Sequence, residues 1–171
     1  MKKIIIALTV LLASFSMADA QKVAYVNTET ILAAIPAYEA AQVTLEALGD
    51  KYKAAVETEL GKVEALYQNY QSTRHSMTAQ QRQNAENEII AKERVAQEKQ
   101  KIYFGEDGIM AKKAEELLNP IRKNVEKAIE EVARIEGYDL VIDVAALQGV
   151  VYKNETLDIS RRVIDRYFEI R

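Results

Sequence analysis

The side chains able to do chemistry are few. His75 is the single histidine, and the chain has no cysteine. That excludes disulfides, thiol catalysis, iron–sulfur clusters and zinc held by several Cys or His. A lone histidine between Arg74 and Ser76 brings no co-ligands and reads as a solvated residue. Asp139 and Asp143 fall on the same face of an extended segment. Paired carboxylates can act as acid and base. Here they lack a nucleophile, a base partner or a phosphate-binding loop, so they read as a solvated or inter-chain polar face. The sequence therefore points to no enzyme, no cofactor and no metal.

Composition narrows the remainder. Of 171 residues, 29% are charged and 49% hydrophobic, which describes neither a disordered chain nor a membrane bundle. Lys and Arg number 23 against 26 Asp and Glu, a net charge of −3, which argues against a nucleic-acid partner. With only 6 Gly, 2 Pro and no Trp, the composition is that of long helices.

Residues 1–20 carry the layout of a secretory signal peptide. A basic Met1-Lys2-Lys3 precedes an apolar run from Ile4 to Phe15, and Ala18-Asp19-Ala20 supplies the cleavage pattern before Gln21. The run is shorter than the roughly 20 apolar residues of a membrane span. Removing Lys2, Lys3 and Asp19 leaves 21 basic and 25 acidic residues, a net of −4.

The elements beyond it are mostly helical. Lys22 to Val26 reads as a strand, Asn27 or Thr28 as the cap of a short helix reaching about Ile35, and Pro36 as the start of the next. Leu45, Leu48, Tyr52, Val56, Leu60, Val63, Tyr67 and Tyr70 recur at steps of 3 or 4, the period of a helix with one apolar stripe. The pattern stops near residues 75–78, where Thr78 is set to cap a second helix. Gln80 to Gln100 is polar. The stripe resumes with Met110, Ala114, Leu117, Ile121, Val125, Ala128, Val132 and Ile135. Two long helices around one turn predict an antiparallel hairpin. Pro120 is expected to kink the returning helix, and Gly105 and Gly108 to weaken it.

Gly137 closes that helix, Tyr138–Val144 reads as a strand, and Val150-Val151-Tyr152 as a third. Asp158 or Ser160 caps a last helix with Ile159, Val163, Ile164, Tyr167 and Phe168 turned inward. The expected fold is α+β and mostly helical. Residues 21–36 and 137–171 form a small β body, and residues 37–136 a long coiled-coil hairpin. So small a sheet has open edges, which self-association would close.

Several segments together resemble the Skp/OmpH family of periplasmic chaperones for outer-membrane proteins. They are Lys22 to Asn27, Ile31-Leu32, Pro36 to Ala41, Leu117 to Ile121, Ile129 to Ala133, Glu136 to Asp143, Asp158 to Ser160, and Val163-Ile164. The resemblance implies a homotrimer with a β-barrel body and three projecting arms. It also implies an ATP-independent holdase that keeps unfolded outer-membrane proteins in the cavity between them. The family's better-known members are markedly basic, whereas this chain is acidic. The deficit is uneven, because residues 51–104 hold nine Lys or Arg against seven Glu. Strong capture of lipopolysaccharide is not expected, and peripheral membrane contact is left open.

On this reading, Tyr67, Tyr70, Met77, Ile89, Ile90, Tyr103 and Phe104 contact clients, because adaptable apolar side chains on a polar arm suit promiscuous binding. Tyr25, Val26, Leu140, Ile142, Val151, Tyr152, Ile159, Val163 and Phe168 build the body and its trimer interface, and Gly105 and Gly108 form a hinge or a register-restoring bulge. The alternative is a secreted coiled-coil adaptor or envelope structural protein with one fixed partner.

Overall fold

The computed structural model describes residues 21–170; the segment read as a signal peptide lies outside them. The chain divides into two compact units, one made of residues 21–32 and 125–170 and the other of Ala33–Asn124.

In the first unit, β1 (Val23–Val26) pairs in parallel with β2 (Leu140–Asp143), placing Val23 opposite Leu140 and Val26 opposite Asp143. Bonds from Asp139 N–H to Lys22 C=O (2.8 Å) and from Val144 N–H to Val26 C=O (2.9 Å) extend the ladder. On its other side, β1 forms a single parallel bridge between Tyr25 and Asp158, with Ile159 N–H donating to Tyr25 C=O at 3.0 Å. With both sides paired, β1 can bury Ala24, Tyr25 and Val26 in succession.

Helix α1 (Thr28–Ala33) follows, with the Asn27 side chain accepting from Thr30 N–H at 3.1 Å. The end of α4 (Ile109–Glu136) buries Val125, Ala128 and Val132, while Ile135 turns out at 61% exposure. Gly137 at φ +70° ends that helix, and Tyr138 N–H returns to Ala133 C=O. Ile159 just before helix α5 (Ser160–Glu169), and Val163 and Tyr167 within it, are buried, one every fourth residue. Neither Asp158 nor Ser160 is the N-cap of α5: that position is Ile159, which makes no side-chain cap, while Asp158 accepts from Ser160 N–H at 2.8 Å and the Ser160 hydroxyl accepts from Asn27 N–H.

Two further expectations are corrected here. Val150–Tyr152 is not a strand: among the described residues it pairs with no other strand, and Val151 is 99% exposed. Phe168 is not inward; it sits a quarter-turn round α5 from Tyr167, half exposed, its ring edge-on to that tyrosine.

In the second unit, α2 (Pro36–Thr73) begins with Pro36 in its first turn and is about 57 Å long at 1.5 Å per residue. A tight turn carries the chain to α3 (Ala79–Phe104), where Thr78 and Gln81 form a reciprocal capping box. The helices run antiparallel, with Tyr52 stacked on Tyr103 (centroids 4.3 Å apart), Lys99 bonded to Glu59, and the Tyr70 hydroxyl bonded to Glu86. The returning helix is not continuous. Residues 105–108 break it completely between α3 and α4, whereas α4 runs on through Pro120.

Candidate functional site

No group of three or more His, Asp or Glu able to hold a metal occurs among the described residues, and no helix there is long and apolar enough to cross a membrane. His75 is exposed in the hairpin turn. Asp139 and Asp143 do local structural work inside the chain. Asp139 accepts from Lys22 N–H at 2.7 Å, and Asp143 accepts from Thr28 N–H, the Thr28 hydroxyl (2.7 Å) and Ala145 N–H. Both aspartates are therefore held within their own unit, Asp139 exposed at the surface and Asp143 half-buried.

The arm of α2 and α3 is the first candidate surface. Its seam is lean: Val56, Ile89 and Ala96 are buried, together with the carboxylate of Glu59. Lys99 reaches Glu59 across the hairpin at 2.7 Å, and Lys62 reaches it along α2 at 3.1 Å. Hydrogen bonds from these two ammonium groups hold the Glu59 carboxyl below its ordinary pKa, and Lys99 is raised in return. So thin a seam leaves large apolar side chains outside. Leu60, Tyr67, Ile90, Ile102 and Phe104 all stand at least one-third exposed.

The residues expected to contact clients are placed unevenly. Tyr67, Ile90 and Phe104 face solvent, and Tyr70 and Met77 are half-buried near the turn. Tyr103 is half-covered by Tyr52 and meets the edge of Phe104. Ile89 is corrected: at 8% exposure it belongs to the seam, because one residue's rotation along α3 turns it away from its neighbour Ile90. Sequence reasoning assigned Leu60 to the stripe and passed over Ile102. Both are more than half exposed, and neither position departs from the helical period in a way that would reveal it.

The body is the second candidate surface. Of the residues expected there, Tyr25, Val26, Ile159 and Val163 are core of the single chain, and Ile142 is half-buried. Leu140, Val151, Tyr152 and Phe168 are exposed, with Tyr152 at 82%. The buried Tyr25 hydroxyl has no hydrogen-bond partner among the described residues. Burial first, then the charges of Asp158 and Glu155, push its pKa up. Lys153 lies over its ring at 5.0 Å.

A family profile described as outer membrane protein (OmpH-like) matches residues 22–167. The chain belongs to the OmpH-like family. It is 30% identical over 167 residues to the chaperone protein Skp of Photorhabdus luminescens, covering 95% of this chain and 99% of that protein. It is 29% identical over 155 residues to the chaperone protein Skp of Pectobacterium atrosepticum, covering 90% and 92% of the two chains. The fold also resembles the crystal structure of an OmpH-like chain from Caulobacter crescentus CB15, with a TM-score of 0.64 at 12% identity, over 89% of this chain and 86% of that one. The OmpH-like fold thus combines the small sheet with the long helical hairpin anticipated from the sequence. The relatives matched by sequence are named as chaperones, which agrees with the reading that this chain is not an enzyme.

Proposed function

We propose that the chain is an ATP-independent holdase of the periplasm that binds unfolded outer-membrane β-barrel proteins and keeps them from aggregating. The observation that carries the reading is the arm: two polar helices with a lean seam and large apolar side chains left in solvent. Unfolded barrel strands alternate apolar and polar residues, and aggregate in water. Many shallow apolar contacts on a polar support shield such strands without a deep pocket. Tyr67, Tyr70, Met77, Ile90, Tyr103 and Phe104, joined by Leu60 and Ile102, supply those contacts.

The working form is a homotrimer that holds its client between the arms of three copies. Exposed Leu140, Val151, Tyr152 and Phe168 on the body support self-association, since a second copy would cover them. Gly105 and Gly108 form a hinge within the arm, a reading supported by the complete helix break at residues 105–108. Secretion through a cleaved signal at residues 1–20 fits this role.

The test is light scattering on a sizing column with the signal-less protein, alone and mixed with a barrel protein diluted from urea. A trimer that co-elutes with soluble client is the expected result. A trimer that lets every client precipitate would remove the holdase and favour an adaptor with one fixed partner.

A further inference from the structure

One stretch of the arm is hollow. Val56 and Ala96, both buried, form the floor of a groove between α2 and α3. Leu60 and Phe104 form its walls at 51% and 39% exposure, and Gly105 lies at one end. Gln97, Gln100 and Lys101 complete the lining, and the groove holds about 440 Å³. Residue size contributes to the hollow: on the α3 side its floor is the small side chain of Ala96.

The lining also states what it would accept. Its apolar floor and walls suit a large side chain, and its volume lies near the lower end of the roughly 300–1,000 Å³ of ligand sites, enough for one or two such groups. Gln97 and Gln100 each carry a donor and an acceptor. They are about 4.5 Å apart along the helix, close enough to serve neighbouring peptide groups of an extended chain. The only charge on the lining is the cation of Lys101. The buried acid of this stretch, Glu59, is already bonded to Lys99 and Lys62.

We propose that this groove is a binding subsite for an extended, unfolded polypeptide, taking an aromatic or branched side chain on its floor, with an adjacent acidic residue meeting Lys101. The proposal deepens the holdase reading and rests on it. The groove gives the arm a selective position among otherwise non-selective contacts: segments with an apolar side chain next to a carboxylate are held first.

The probe is a fluorescent twelve-residue peptide of alternating polarity, with a central Phe flanked by Asp. A photo-crosslinking benzoylphenylalanine is placed at Gln97, on the rim, and as a control at Glu98, which does not line the groove. Labelling from Gln97 should exceed labelling from Glu98 by about tenfold. Leu60→Ser/Phe104→Ser should weaken peptide binding by about tenfold with the helical circular dichroism unchanged. Lys101→Glu should weaken the Asp-flanked peptide by about threefold and leave a Ser-flanked one unchanged. Equal labelling from both positions, or binding indifferent to the wall variant, overturns the subsite. A self-crosslinked dimer formed at Gln97 without peptide also overturns it, because a second copy would then fill the groove. A protein that labels peptide at Gln97 yet fails to keep barrel client soluble would retain the subsite and remove the holdase.

Discussion

Three glycine-to-alanine substitutions separate the two roles that glycine plays in the arm. Gly61 lies inside α2 with open space where a Cβ would stand. Gly61→Ala should therefore stabilise by about 1 kcal/mol, the helix-propensity difference between the two residues. Gly105 has φ −64° and ψ 170°, a backbone conformation any residue adopts, so conformational freedom does not explain it. Contact does: an added Cβ would lie 2.5 Å from Lys101 C=O oxygen. At Gly108 it would lie 2.8 Å and 2.9 Å from the O and N of Gly105, and 2.9 Å from the Tyr103 oxygen. All of these atoms are backbone and cannot rotate away, so Gly105→Ala and Gly108→Ala should each destabilise by about 1–3 kcal/mol. The unfolded-chain benefit of alanine is common to all three variants, so the spread of about 2–4 kcal/mol between Gly61→Ala and Gly108→Ala reports the native clash.

Urea unfolding followed by circular dichroism, at one fixed protein concentration because the chain self-associates in our reading, measures the spread. At a slope of about 2 kcal/mol per molar urea, the midpoints should separate by about 1–2 M. Hydrogen exchange across Lys101–Lys112 localises the effect: Gly108→Ala should raise exchange there and Gly61→Ala should not. If Gly108→Ala stabilises as much as Gly61→Ala, the helix can run straight through residues 105–108, and the close-contact account of the break is wrong.

Two further outcomes follow from named contacts. Glu59 has a lowered carboxyl pKa in the folded arm, so its contribution is present above the ordinary value of 4.5 and is lost as pH falls through the folded value; Lys99, raised from 10.5, holds its contribution below that value and loses it at more alkaline pH. Arm stability should thus decline on acidification below about pH 4.5, and Glu59→Gln should flatten that decline; an unchanged acid limb in thermal melts would show that the pair does not couple α2 to α3. Val151→Ser/Tyr152→Ser should lower the native mass by light scattering toward the monomer while leaving the helical signal intact, because both side chains are already in solvent in the single chain; an unchanged oligomer would clear these residues of the interface.

Much of the fold was legible because it is local. The turn between the long helices was readable from Thr78 and the end of the apolar stripe, and the body face of α4 from Val125, Ala128 and Val132. Gly137 marked its stop. The glycine pair was legible as a weak point, but its extent was not: whether two glycines bulge a helix or break it depends on the carbonyl oxygens that close over them. The candidate site was half legible. Tyr67, Ile90 and Phe104 stand in solvent as expected, whereas Ile89 is in the seam and Leu60 is out of it.

The chain's periodicity by itself determined which residues share a helix face, where most of the helices begin and end, and that the product is a long hairpin and a small sheet. Tertiary structure alone decided what covers each face. It paired β1 with β2 in parallel across more than a hundred intervening residues, left Val150–Tyr152 without a strand to join, and buried Glu59 where two lysines could reach it. The physical reason is range: backbone geometry repeats over a few residues and is written locally, whereas burial depends on which distant segment arrives at a surface, and no local pattern states that.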